Sequence, residues 1–96
     1  MARKTRDMII RYDPDFIKKL KKENVKVKKN FKEATLIFSK DPYDPKLDNH
    51  PLKRDWSGYR SIDVTADYRA IYKEIEEKEE TIAYFVAIGT HKKLYK

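Results

Sequence analysis

Apolar positions along the chain change their spacing twice, and each change marks an element. Residues 8–12 (MIIRY) are β-branched and aromatic and predict a short first strand. Asp13-Pro14 then supplies an N-cap oxygen followed by proline at the first helical position. Phe16, Ile17 and Leu20 share one face of the helix that this starts, with Asn24 as its expected stop. Val27, Phe31, Ala34 and Phe38, spaced four, three and four apart, predict a second helix from about Lys26. The Val25-Lys26-Val27-Lys28 alternation is strand-like, so the start of that helix is open.

Residues 41–57 hold Pro42, Pro45 and Pro51 among polar residues and predict a loop. Three strands follow: Tyr59–Val64, Tyr68–Ile75 after the link Thr65-Ala66-Asp67, and Thr81–Gly89 after an acidic turn. The last has apolar residues on both of its alternating faces, Ile82, Tyr84, Val86, Ile88 on one and Ala83, Phe85, Ala87 on the other. A strand apolar on both faces belongs inside a sheet. The expected architecture is α+β, in the order β-α-α-β-β-β, with two helices on one face of a mostly antiparallel sheet. Period two adds a condition. If Ile62, Val64, Ala70 and Tyr72 face the helices, Asp63 and Arg69 emerge together on the uncovered face.

Length bounds this picture to one domain, residues 1–96, since 96 residues suffice for a single core. At 40% apolar and 12% aromatic, the chain can bury that core. No apolar run approaches the roughly 20 residues of a membrane helix, and the start does not resemble a secretory signal. The absence of cysteine excludes disulfides, thiolate metal sites and a thiol nucleophile, and suits a cytoplasmic address.

The net charge of +7 is unevenly spread. Arg3, Lys4, Arg6, Arg11, Lys18, Lys19, Lys21, Lys22, Lys26, Lys28, Lys29 and Lys32 crowd the first third, against Asp7, Asp13, Asp15 and Glu23. Lys92, Lys93 and Lys96 form a second basic patch, and Glu74 to Glu80 an acidic knot between them. A polyanion or an acidic partner fits such an excess. For residues 18–32 alone, a solvated helix face or the Lys- and Glu-rich surface of a heat-stable protein weighs more.

Common catalytic motifs are missing. Two glycines could hardly build a phosphate-binding loop, and two distant histidines do not make a zinc pair. Ser57 and Ser61 lack the surroundings of a nucleophile. What remains is a set of ionisable and aromatic groups at strand ends and loops: His50, Trp56, Tyr59, Arg60, Asp63, Asp67, Tyr68, Arg69, His91 and Tyr95. Taken singly, each has an ordinary structural use: turn chemistry for Asp67, cross-strand pairing for Arg69, loop packing for Trp56 and Tyr59.

Taken in order, they resemble a family. His50-Pro51-Leu52, Trp56-Ser57-Gly58-Tyr59-Arg60, Asp67-Tyr68-Arg69-Ala70-Ile71-Tyr72 and Ile88-Gly89-Thr90-His91-Lys92-Lys93-Leu94-Tyr95 resemble the RelE/ParE superfamily. Within it they are most similar to the YafQ-like toxins of type II toxin–antitoxin systems. The resemblance implies a compact RelE-like fold and an mRNA endoribonuclease that works at the ribosomal A site and is silenced by a cognate antitoxin. It implies no metal and no cofactor. In the reaction, the ribose 2′-OH attacks the adjacent phosphorus, leaving a 2′,3′-cyclic phosphate and a free 5′-OH. Such chemistry needs a base, an acid and positive charge at the phosphate.

By the same resemblance His91 is the acid, and His50 and Asp67 are base or base-orienting residues. Arg69 matches a phosphate-contacting strand arginine, and Tyr95 a terminal aromatic that stacks or assists proton transfer. Arg60, Tyr68, Lys53, Arg54, Lys92 and Lys93 are expected to contact RNA, and ribosomal RNA, message and an acidic antitoxin are the expected partners. The chain departs from the YafQ pattern at Asp63, Tyr68 and Ala87, where that pattern has histidine, tryptophan and arginine. Asp63 is thereby a further catalytic candidate, able to act as a base or hold a histidine; Arg69 or Arg60 is the substitute for the missing arginine. ParE relatives share the fold but poison DNA gyrase, and a toxin that has lost catalysis would only bind RNA. The two histidines favour the ribonuclease.

Overall fold

A computed structural model describes residues 8–95. Arg3, Lys4, Arg6, Asp7 and Lys96, counted in the charge pattern above, lie outside the described residues. The elements are β1 (Ile9–Tyr12), α1 (Pro14–Lys21), α2 (Val25–Lys40), β2 (His50–Pro51), β3 (Arg60–Asp63), β4 (Tyr68–Glu77), β5 (Glu80–Thr90) and α3 (His91–Leu94). They form a five-stranded sheet of order β1-β5-β4-β3-β2, antiparallel except for the β1–β5 pair. This is the expected α+β arrangement, with a short strand and a short helix added.

Local chemistry explains the helix ends. The Asp13 carboxylate accepts from the Asp15 amide at 3.0 Å, with Pro14 in the first turn, so α1 starts as expected. Asn24 does not stop α1, which ends at Lys21; its side-chain oxygen accepts from the Val27 amide at 2.9 Å and caps α2 instead. The cap makes residues 25–28 helical despite their alternation, with Val27 buried and Val25 outside. The loop of residues 41–57 is more structured than its prolines suggest. It contains 3-10 turns at Pro45–Leu47 and Arg54–Trp56 and the two-residue edge strand β2.

One buried cluster joins the helices to the sheet: Phe16, Val27, Phe31, Ala34 and Phe38 against Ile62, Ala70, Tyr72, Ala83, Phe85 and Ile88. Phe85 is its hub, with ring centroids 5.1 Å from Tyr72, 5.6 Å from Phe38, 5.7 Å from Phe31 and 5.9 Å from Phe16. Val64 packs against the same cluster, so the helix-facing set Ile62, Val64, Ala70 and Tyr72 is as the alternation requires.

The two faces of β5 depart from simple alternation. Tyr72 pairs with Phe85 and Ile71 with Ala87, which leaves Val86 as an extra residue in a β-bulge. Past the bulge the phase shifts, and Ile88 joins Ala83 and Phe85 in the core while Ala87 turns to the open face. Strand β5 stops short of full pairing with β1, and Lys19 covers the free stretch by donating to the Ile88 carbonyl at 3.1 Å.

Candidate functional site

Register builds the site on the open face. His50 pairs with Ser61, Ser61 with Ile71, and Ile71 with Ala87, forming one cross-strand row; Asp63, Arg69 and Gly89 form the next. Cross-strand partners share a face, so the short β2 strand is what carries His50 from the loop to the sheet.

The guanidinium of Arg69 is the centre of the arrangement. Its Nε donates to Ser61 Oγ at 2.6 Å, its Nη1 is bonded to the Asp63 carboxylate, and its Nη2 donates to the Asp48 carbonyl at 3.2 Å. Nη2 also lies 3.7 Å from the Asp48 carboxylate and 3.2 Å from His50 Nδ1. Arg69 is largely buried by these partners, whereas His50 is partly exposed. His50 Nδ1 stands 2.9 Å from the same Asp48 carbonyl. The tautomer that donates there leaves the Nε2 lone pair available. Burial pushes the Asp63 carboxyl above the usual range; Arg69 and His50 oppose the rise, and Asp48 adds to it.

A second group joins from the C-terminal side. Thr90 caps α3 by accepting from the Lys93 amide, and His91 opens that helix. The His91 ring meets the Tyr95 ring edge-on at 4.5 Å, and the Tyr95 hydroxyl donates to Ser61 Oγ at 3.1 Å. Ser61, fully buried, therefore touches both halves of the site. The Trp56 indole donates to the Leu94 carbonyl at 3.0 Å and stacks edge-on with Tyr59, tying the loop to α3.

The structure thus brings together His50, Asp63, Arg69 and Tyr95, with His91 against Tyr95. Asp67 stands at the exposed hairpin tip, where its carbonyl accepts from the His91 amide at 3.2 Å; both line one cleft with Lys92. Lys53 and Arg54 precede Trp56 on the loop, Arg54 with a positive φ of 59°, and Lys93 lies on α3.

Arg60 and Tyr68 lie on the other side of the sheet from Arg69, although Tyr68 also borders the cleft of Asp67, His91 and Lys92. Arg60 alternates to the Tyr72 side, where its Nε donates to Asn49 Oδ1 at 2.7 Å and its guanidinium lies 5.2 Å from the Tyr43 ring centroid. Asn49 in turn donates to the Tyr72 hydroxyl, so Arg60 sits in a loop-holding network and not beside Arg69. Tyr68 packs against the core and its hydroxyl donates to Glu23 at 3.0 Å, on the helix side of the sheet.

Asp48 and Ser61 also belong to the site, although no motif in the sequence marks either. Asp48 occupies a left-handed conformation (φ 47°) two residues before His50, a position that Asp tolerates. Ser61 had a usable signal, since it shares the strand face of Asp63. Among the described residues no group of three or more metal-ligating side chains converges.

This fold is that of the RelE/ParE-type toxins. A YoeB/ParE toxin from Agrobacterium tumefaciens superposes with a TM-score of 0.70 at 17% identity, covering 88% of this chain and 99% of that one. YafQ from Escherichia coli strain BL21(DE3) superposes at 0.63 with 26% identity, over 93% of this chain and 99% of that one. The toxin of the E. coli DinJ–YafQ complex does so at 0.60 with 28% identity and the same coverage. The family model described as the bacterial toxin of type II toxin–antitoxin system, YafQ, matches residues 8–96. The chain belongs to that YafQ toxin family. No curated protein sequence matches it.

Proposed function

We propose that the protein is the toxin of a type II toxin–antitoxin pair acting as a metal-independent, ribosome-dependent mRNA endoribonuclease. The observation that carries this reading is Arg69, held rigidly between His50 and, through Ser61, the Tyr95–His91 pair. On this reading Arg69 stands between a base candidate, His50, and an acid candidate, His91, which it reaches through Ser61 and Tyr95.

In this mechanism His50 Nε2 removes the 2′-OH proton, with Asp63 holding Arg69 and available as an alternative base. The O2′ attacks phosphorus while Arg69 takes up the charge growing on the phosphoryl oxygens. The P–O5′ bond breaks, and His91 gives its proton to the departing O5′. Asp67, whose carbonyl accepts from the His91 amide, borders the same cleft as a further base or base-orienting residue. Tyr95 stacks on a base, and Lys53, Arg54, Lys92 and Lys93 draw in RNA through phosphate attraction that salt weakens. The same basic surface receives an acidic cognate antitoxin; E. coli YafQ is found with DinJ in a toxin–antitoxin complex.

The test is purified protein added to ribosomes programmed with message. New 5′ ends by primer extension, with 2′,3′-cyclic phosphate on the upstream fragment, support the reading. Intact message together with induction of a DNA damage response in cells overturns it in favour of a gyrase poison.

A further inference from the structure

Among the described residues Ser61 is the fully buried polar one, and it lies between the largely buried Arg69 and the half-buried Tyr95. Its oxygen accepts from Arg69 Nε at 2.6 Å and from the Tyr95 hydroxyl at 3.1 Å. These residues come from β3, β4 and the segment just after α3, so one hydroxyl links three parts of the chain. Among the described residues, no other side chain of the site bridges Arg69 to the His91–Tyr95 pair. Asp63 and Asp48 bind the other two guanidinium nitrogens but have no contact with the His91–Tyr95 pair.

We propose that Ser61 is a positioning residue of the cleavage site, setting the distance between the phosphate-binding arginine and the acid. On this proposal, which rests on the ribonuclease reading, Ser61 acts on Arg69 directly and on His91 through the Tyr95 ring. A hydroxyl is the group that can do so. It carries two acceptor positions, and the Arg69 Nε–H and the Tyr95 O–H fill both. Alanine would leave the Nε–H without its partner and free the Tyr95 ring to turn. Because reacting groups must be held to well under an ångström, release of either end reaches the chemical step.

The test uses ribosome-dependent cleavage together with NMR of the free protein. In the Ser61→Ala protein, kcat is expected to fall about 10- to 100-fold, the loss typical of misplaced catalytic groups. The Arg69 Nε–H signal should exchange with water at least about ten times faster, as expected on loss of a buried hydrogen bond, and the His91 ring signals should move. Ser61→Thr keeps the hydroxyl and should restore the slow Nε–H exchange and most of the activity. Should Ser61→Ala fail to fold, Tyr95→Phe tests the outer link: His91 signals should shift while the Arg69 Nε–H stays protected. Unchanged Arg69 exchange and His91 signals in Ser61→Ala overturn the proposal, even if activity drops. So do unchanged His91 signals in Tyr95→Phe. A wild-type protein that cuts no message overturns the ribonuclease reading itself, a result distinct from wild-type cleavage that Ser61→Ala leaves intact.

Discussion

The Trp56 indole and the Leu94 carbonyl, 38 residues apart in the chain, meet in a 3.0 Å hydrogen bond that joins the loop after β2 to the last helix. Helix α3 spans only His91–Leu94, too short to persist by its own hydrogen bonds. Its place is set by this bond, by the Thr90 cap and by the Tyr95 contact.

Trp56→Phe should therefore loosen α3 while leaving the sheet in place. The lost hydrogen bond is worth about 1 kcal/mol, concentrated locally. Hydrogen exchange should quicken at the α3 amides and not in β4 or β5, and cleavage should fall with it.

His91→Ala should abolish cleavage and toxicity with the fold intact, since the His91 side chain is exposed and lies outside the buried cluster. Circular dichroism and melting temperature close to wild type, with no new message ends in primer extension, are the expected pair of results. Toxicity retained in this variant would remove His91 from the mechanism.

Asp63 makes a pH prediction. Its pKa in the folded protein is raised, chiefly by burial, so the folded state holds this proton more tightly than the unfolded chain does. Its contribution to stability is therefore largest at low pH, and is lost as pH rises from the ordinary carboxylate value through the raised one. Melting temperatures of wild type and Asp63→Asn, followed across mildly acidic pH, should show wild type losing ground to the variant as pH rises through that window. A constant difference would show that Asp63 does not titrate there.

Phe85→Ala should be the most damaging of the core truncations. The ring touches five aromatic neighbours, including Tyr12 of β1, and is fully buried. A loss of about 3–5 kcal/mol is expected from such a truncation, read as a lowered denaturation midpoint.

Periodicity made much of this legible. The helix-facing set of β3 and β4, and with it the joint emergence of Asp63 and Arg69, followed from alternation once the strands were placed. The spacing of Val27, Phe31, Ala34 and Phe38 marked the buried stripe of α2 in the same way. Alternation failed at Val86 because a bulge depends on pairing between strands, which no local pattern carries. Asn24 is ambiguous for a related reason: the same side chain suits a helix stop and a helix start, and Val27 settles the choice by offering its amide. Arg60 and Tyr68 alternate to the side opposite Arg69, a placement that the motif strings alone do not carry. Asp48 was hidden because its main-chain carbonyl, not its side chain, makes its closest contacts with Arg69 and His50.

The extra residue at Val86 divides β5 into two stretches with different obligations. Before it, Ala83 and Phe85 face the helix side; after it, Ile88 serves the core while Ala87 and Gly89 border the Arg69 cluster. Deleting Val86 would leave Phe85 and Ile88 inward and Ala87 outward, now in plain alternation, but would remove the bend and added twist that the bulge gives the distal stretch. The strand is thus a natural joint for chimaeras. Segments exchanged between relatives beyond Val86 would carry the border of the Arg69 cluster together with the inward side chain of Ile88, so the interior has to match at that position.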